Sequence, residues 1–137
     1  ANADGVTSLI QFSLPAGLQT VTPSSVLPAL SGTGDRVLGQ EDNFGRPRIV
    51  IDGGNSLRYG FQVTGSNNTI ERLIFNRFVS GSAPNGVGVW ITGAGATGNR
   101  LFGNYFGVQP GSTSSFTNQR GIQIDNGASA NIIGGAL

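Results

Sequence analysis

GVWITGAGATGNRLFGNYF (Gly88–Phe106) can be written beneath GFQVTGSNNTIERLIFNRF (Gly60–Phe78) without a gap. The alignment sets Val63 over Ile91, Thr69 over Thr97, Arg72 over Arg100, Leu73 over Leu101, Asn76 over Asn104 and Phe78 over Phe106. A third copy begins at Gly121, GIQIDNGASANIIGGAL, after the segment VQPGSTSSFTNQR (Val108–Arg120) has absorbed a longer spacing. Its Ile122 and Ile124 fall in line, and a one-residue slip brings in Asn131 and Ile133. Three copies at a spacing near thirty residues mean a solenoid or an array.

Within each copy the apolar pattern is that of a strand. Phe61/Val63, Val89/Ile91 and Ile122/Ile124 alternate with residues able to face outward, and each run ends at a Gly or Asn turn. SLIQF (8–12), QTVT (19–22), RVLG (36–39) and RIVID (48–52) read alike between Pro, Gly and Ser. No stretch of ten residues holds a helical period. The expectation is therefore all-β: one domain over residues 1–137, a parallel β-helix (solenoid) of roughly four to six coils.

Composition narrows the chemistry. Only 11% of the residues are charged, against roughly 25% in an average soluble domain, and 23 glycines supply tight turns. The net charge of +1 predicts no nucleic-acid footprint. There is no Cys or His, so metal centres built on those ligands and Ser-His-Asp or Cys-His catalysis are excluded. All eight basic residues are Arg, at positions 36, 46, 48, 58, 72, 77, 100 and 120, so no lysine serves as base or Schiff-base former. No apolar run approaches twenty residues, so no membrane-spanning helix is expected. No cofactor or metal is expected. A start at Ala1 without a charged-then-apolar leader suits a processed, exported protein or an excised piece.

FSLPAGLQTVTPSSVLPAL, IVIDGGN, NTIERLIFNRF, GNRLFGNYFGVQPG and GIQIDNGASANIIGG together resemble the coils of bacterial secreted right-handed parallel β-helix proteins of the pectin-lyase-like kind. The likeness covers nearly the whole chain. It implies the fold and an extracellular or cell-surface setting. Such coils serve adhesins, surface proteins and carbohydrate-active enzymes alike, so function must be read from sites. FGVQPG departs from the pattern by lacking the acidic residue often found after that glycine.

Stacked coils bring repeat-related residues into contact at about 4.8 Å. The alignment then predicts an Asn76–Asn104 ladder, with Leu73/Leu101 and Phe78/Phe106 as interior stacks. Arg72 over Arg100 is a stack of like charge, relieved by Glu71, by solvent or by an acidic glycan. Trp90 alternates outward and, with Arg72, Arg100 and Phe116, forms the candidate glycan or partner contact. Two segments read as insertions on the contact face: GQEDNFGRPR (39–48) and VQPGSTSSFTNQR. The acids are Asp4, Asp35, Glu41, Asp42, Asp52, Glu71 and Asp125. Only Glu41–Asp42 are adjacent, and Asp52 and Asp125 precede Gly or Asn, where an Asp bonds its own turn. Paired carboxylates for sugar hydrolysis are not apparent, so no enzyme is expected.

The ends carry the functional expectation. ANADGVTSLIQF offers little helical cap, and NIIGGAL stops inside a repeat. An uncovered coil presents unpaired backbone groups, to be met by the rest of a longer β-helix or by another copy, head to tail. The expected function is a non-catalytic extracellular structural unit that stacks into a filament. Its interface would lie at Leu9, Ile10 and Phe12 on one end and at Ile122, Ile124, Ile132 and Ile133 on the other. The alternative is a carbohydrate-active or glycan-binding β-helix that recognises cell-surface sugar.

Overall fold

A computed structural model describes residues 6–135. The expectations for a cap at residues 1–5, for Asp4 and for residues 136–137 lie outside them. Among the described residues all twelve elements are short strands: β1 (Leu9–Gln11), β2 (Gln19–Val21), β3 (Arg36–Leu38), β4 (Ile49–Asp52), β5 (Tyr59–Val63), β6 (Thr69–Glu71), β7 (Ile74–Asn76), β8 (Val87–Thr92), β9 (Arg100–Phe102), β10 (Tyr105–Phe106), β11 (Arg120–Asp125) and β12 (Ile132–Ile133). They pair in parallel in three sheets, β1-β3-β6-β9-β12, β10-β7-β4-β2 and β11-β8-β5, which makes a β-solenoid of about four turns. Leu30 adds a parallel bridge to Val63 where the first coil meets the third sheet. Among the described residues no helix is long and apolar enough to cross a membrane.

Pairing turns sequence spacing into columns of side chains. One interior column runs Ile10–Val37–Ile70–Leu101–Ile133. A second runs Val21–Ile51–Phe75–Phe106, and a third Leu30–Val63–Ile91–Ile124. Away from the end coils these side chains are fully enclosed: Val37, Phe75 and Ile91 are all 0% exposed. The column of rings decides which residues face it. A Cβ at Gly88 would stand 2.7 Å from the Gly121 oxygen and 2.9 Å from the Phe106 ring, and one at Gly60 would strike the Gly88 oxygen and the Phe75 and Phe78 rings. The repeated glycine thus leaves room for phenylalanine.

The ungapped alignment holds only for the third sheet, where Tyr59 lies opposite Val87 and Val63 opposite Ile91. In the first sheet the partners are Thr69 and Arg100, Ile70 and Leu101, three residues further apart. The turn from Thr92 to Asn99 is longer than its counterpart from Thr64 to Asn68, and it absorbs the difference at the surface. Four expected stacks are thereby corrected. Leu101 rests on Ile70 rather than Leu73, and Phe106 on Phe75 rather than Phe78, with rings stacked at 5.2 Å. Arg100 lies opposite Thr69 rather than Arg72. Asn104 does not meet Asn76: its Oδ1 accepts from the Leu73 N–H and its Nδ2 donates to the Ile70 oxygen.

That geometry recurs. Asn68 accepts from the Asp35 N–H and donates to the Gly32 oxygen; Asn99 accepts from Asn68 and donates to Gly65; Asn131 accepts from Asn99 and donates to Ala96. Asn118 does the same for Phe78 and Phe75. Each asparagine clasps the N–H of one residue and the carbonyl three before it in the coil below. One side chain thus satisfies both polar ends of a turn that the sheets leave unpaired. Asn76, the expected ladder residue, makes no such clasp, and both its polar atoms are buried without a partner among the described residues.

Candidate functional site

Among the described residues β1 pairs only with β3 and β2 only with β4, while at the other end β12, β10 and β11 each have one neighbour. The first coil opens into a cavity of about 260 Å³ lined by Ile10, Phe12, Val21, Leu27, Leu30 and Phe61. The last opens into one of about 240 Å³ lined by Leu101, Phe106, Ile122 and Ile133. Leu9, Ile132, Ile133 and Ile124 are exposed, whereas Ile10, Phe12 and Ile122 are half-buried against the core. All seven residues expected at an interface therefore stand on the terminal coils, on opposite faces of the stack.

The candidate contact residues do not converge. Trp90 lies between buried Val89 and Ile91, half-buried on the outer face of β8. Its ring leans on Tyr59 at 5.7 Å, and its indole N–H donates to the Asp125 carboxylate at 3.0 Å. Gln123 Nε2 also donates to Asp125, at 2.6 Å. Burial pushes the Asp125 carboxyl upward, but hydrogen bonds from Thr92, Gln123 and Trp90 outweigh it and hold the group below its ordinary value. Arg72 sits at a corner in the left-handed backbone region (φ 58°) and bonds Glu41 at 2.7 Å and Glu71 at 3.3 Å. Arg100 lies over the Phe102 ring at 4.6 Å. Phe116 is half-buried in the long turn, where its carbonyl accepts from the Arg77 N–H.

The carboxylates are distributed rather than paired. Asp52 accepts from the Gly54 N–H, as its turn position implies, and also holds the Arg77 guanidinium, with Nη2 to Oδ2 at 2.7 Å. Among the described residues no three acids cluster closely enough to hold a metal ion.

One cluster was legible only as an insertion on the contact face. The turn between β3 and β4 is tied down at several points. Asp42 Oδ1 accepts from the Phe44 and Arg46 N–H groups, and Asp42 Oδ2 pairs with Arg46 at 2.7 Å. The side-chain hydrogen bond from Arg46, opposed by some burial, holds the Asp42 carboxyl below its usual range. Arg48 donates to the Pro15, Gly17 and Leu14 carbonyls and to Gln40, joining this turn to the first coil. At the apex Phe44 is 81% exposed. No protein-family model, no curated protein and no solved structure matches this chain.

Proposed function

We propose that the chain is a structural unit of an extracellular fibre or surface assembly, extended end to end by further copies of itself. The observation that carries this reading is that the interior columns stay apolar from the first coil to the last, where, among the described residues, the outermost strands have one unpaired edge and Ile124 and Ile133 are exposed. Such edges attract another chain, and joining one end to the opposite end is a heterologous contact that propagates unless it closes into a ring. Outward positions support it too. In the column Leu9–Arg36–Thr69–Arg100, the inner members are Arg and Thr and the outermost, Leu9, is apolar. The extracellular setting is supported by the resemblance to secreted β-helix proteins.

The test is association of the purified chain. Light scattering should show growth with concentration, and electron micrographs should show fibres one solenoid wide. Ile10→Asp puts a charge into the exposed end of the first column and should stop association while the circular dichroism of the strands is retained. A wild-type chain that stays monomeric at high concentration overturns the proposal.

A further inference from the structure

The turn Gly39–Arg48 borders a cleft that none of the contacts above uses. It is about 390 Å³ in volume, walled by Ala16 and Gly17 of the first coil and by Glu41, Asp42, Asn43, Phe44 and Arg48. A second hollow of about 200 Å³, at Leu18, Pro47 and Pro110, shares Gly17, Asp42 and Arg48 with it, so the two run together as a groove around the base of the turn. The volume lies in the range of small-ligand sites, roughly 300–1,000 Å³.

We propose that this cleft binds a neutral saccharide chain, with a sugar ring stacked on Phe44. An aromatic ring that is 81% exposed is ordinarily a mobile loop side chain, but here the backbone on both sides of it is fixed by the Asp42 carboxylate. The Arg46 guanidinium lies over the ring at 4.9 Å, which further holds its orientation. Such pre-organisation lowers the ordering penalty that a flexible site pays on binding. A pyranose has an apolar C–H face to lay on a ring and a rim of hydroxyls, each able to donate and accept.

The polar groups select the charge of the ligand. The Asn43 side chain is exposed and makes no hydrogen bond among the described residues, so its amide can donate and accept. Glu41 gives one oxygen to Arg72 and keeps lone pairs for hydroxyl donors. The cations, by contrast, are engaged: Arg48 by three carbonyls and Gln40, Arg46 by Asp42, Arg72 by Glu41 and Glu71. An anionic glycan meets the Glu41 and Asp42 carboxylates here, while Arg46 and Arg72 are already paired with acids and Arg48 is held by carbonyl groups. Hydroxyls of a neutral sugar find acceptors.

Calorimetric titration with neutral hexasaccharides (β-1,4-linked glucose, β-1,4-linked mannose and α-1,4-linked glucose) tests the inference, with hexagalacturonate as the anionic counter-probe. At least one neutral chain should bind with an affinity that salt hardly changes. Phe44→Ala should weaken it by roughly tenfold or more, with an unchanged melting temperature because the ring is exposed. Phe44→Trp should retain binding. No neutral binder, a preference for hexagalacturonate, or equal affinity in Phe44→Ala overturns the proposal. So does loss of self-association instead of sugar binding in that variant, which makes Phe44 a protein contact.

Discussion

Asp35 occupies the clasp position of the second coil, where the later coils carry Asn68, Asn99 and Asn131. Its Oδ1 accepts from the Ser8 N–H at 2.8 Å, as an asparagine would. The other oxygen stands where the others have an NH₂ group, and it is buried without a donor among the described residues. A buried polar atom left unpaired costs about 1–3 kcal/mol. Asp35→Asn, which exchanges that acceptor for a donor, is therefore expected to raise the melting temperature. Asn99→Asp makes the reverse change beneath the Gly65 carbonyl and should lower it by a comparable amount. A Tm that falls in Asp35→Asn means the carboxylate has a donor that the clasp does not explain. The importance of asparagine was legible in the sequence; the choice among asparagines was not. Asn76 and Asn104 matched in spacing, but a clasp is recognised by the backbone groups it reaches, which depend on the turn below.

Strands and turns were unequally legible for a physical reason. Alternation of apolar residues reveals strands such as β5, β8 and β11 directly, because each must put one face into the solenoid. Register along the stack is set by backbone pairing, while a solvent-facing turn can lengthen freely. The three extra residues before Arg100 thus shifted the first two sheets without leaving a mark in residue type, since Leu101 is as well placed on Ile70 as on Leu73. Cross-strand partners of the outer face were lost in the same way: Trp90 was seen to point outward, but not to meet Asp125 on the adjacent β11. That pair gives a pH prediction. The folded Asp125 carboxyl titrates below its unfolded value, so its contribution to stability is complete above the ordinary carboxylate range. It is lost as pH falls through the depressed folded value. Trp90 is the one tryptophan, so its fluorescence should change in that acidic window as the acceptor of its N–H is protonated. Asp125→Asn should abolish the titration. An unchanged curve in that variant would assign the change to another group.

At the scale of the whole molecule, the described residues give the first sheet of the solenoid one level more than the others. Leu9, Arg36, Thr69, Arg100 and Ile132 make five levels there, while Val21, Ile51, Phe75 and Phe106 make four in the second sheet. Leu30, Val63, Ile91 and Ile124 make four in the third. A second copy offers half-buried Ile10 and Val21 at one level, Leu30 beside them being covered within its own chain. The two can rest together on Leu101 and Phe106 only if β12 leaves its place on β9. Stacking on β12 instead leaves a layer of about 4.8 Å empty above Phe106 and Ile124, with apolar surface bare on both sides. β12 is suited to yield: it is two residues long, Ile132 and Ile133 are 49% and 45% exposed, and strand bonding rests on Ile132 N–H to Asn99 and Gly134 N–H to Leu101. The expected junction therefore pairs Leu9 of the incoming copy with Arg100. The chain has no cysteine, so an engineered pair reports this contact alone. Facing positions on adjacent strands lie within the roughly 4.4–6.8 Å that a disulfide spans. Within one chain Leu9 and Arg100 are separated by β3 and β6, so any bond between them must join two molecules. Mild oxidation of the Leu9→Cys/Arg100→Cys chain should give a ladder of covalent oligomers on a denaturing gel, and Leu9→Cys/Ile132→Cys should not. The opposite pattern places the incoming copy on β12 with the strand retained. Failure of both pairs in a chain that still forms fibres would move the contact away from the first sheet.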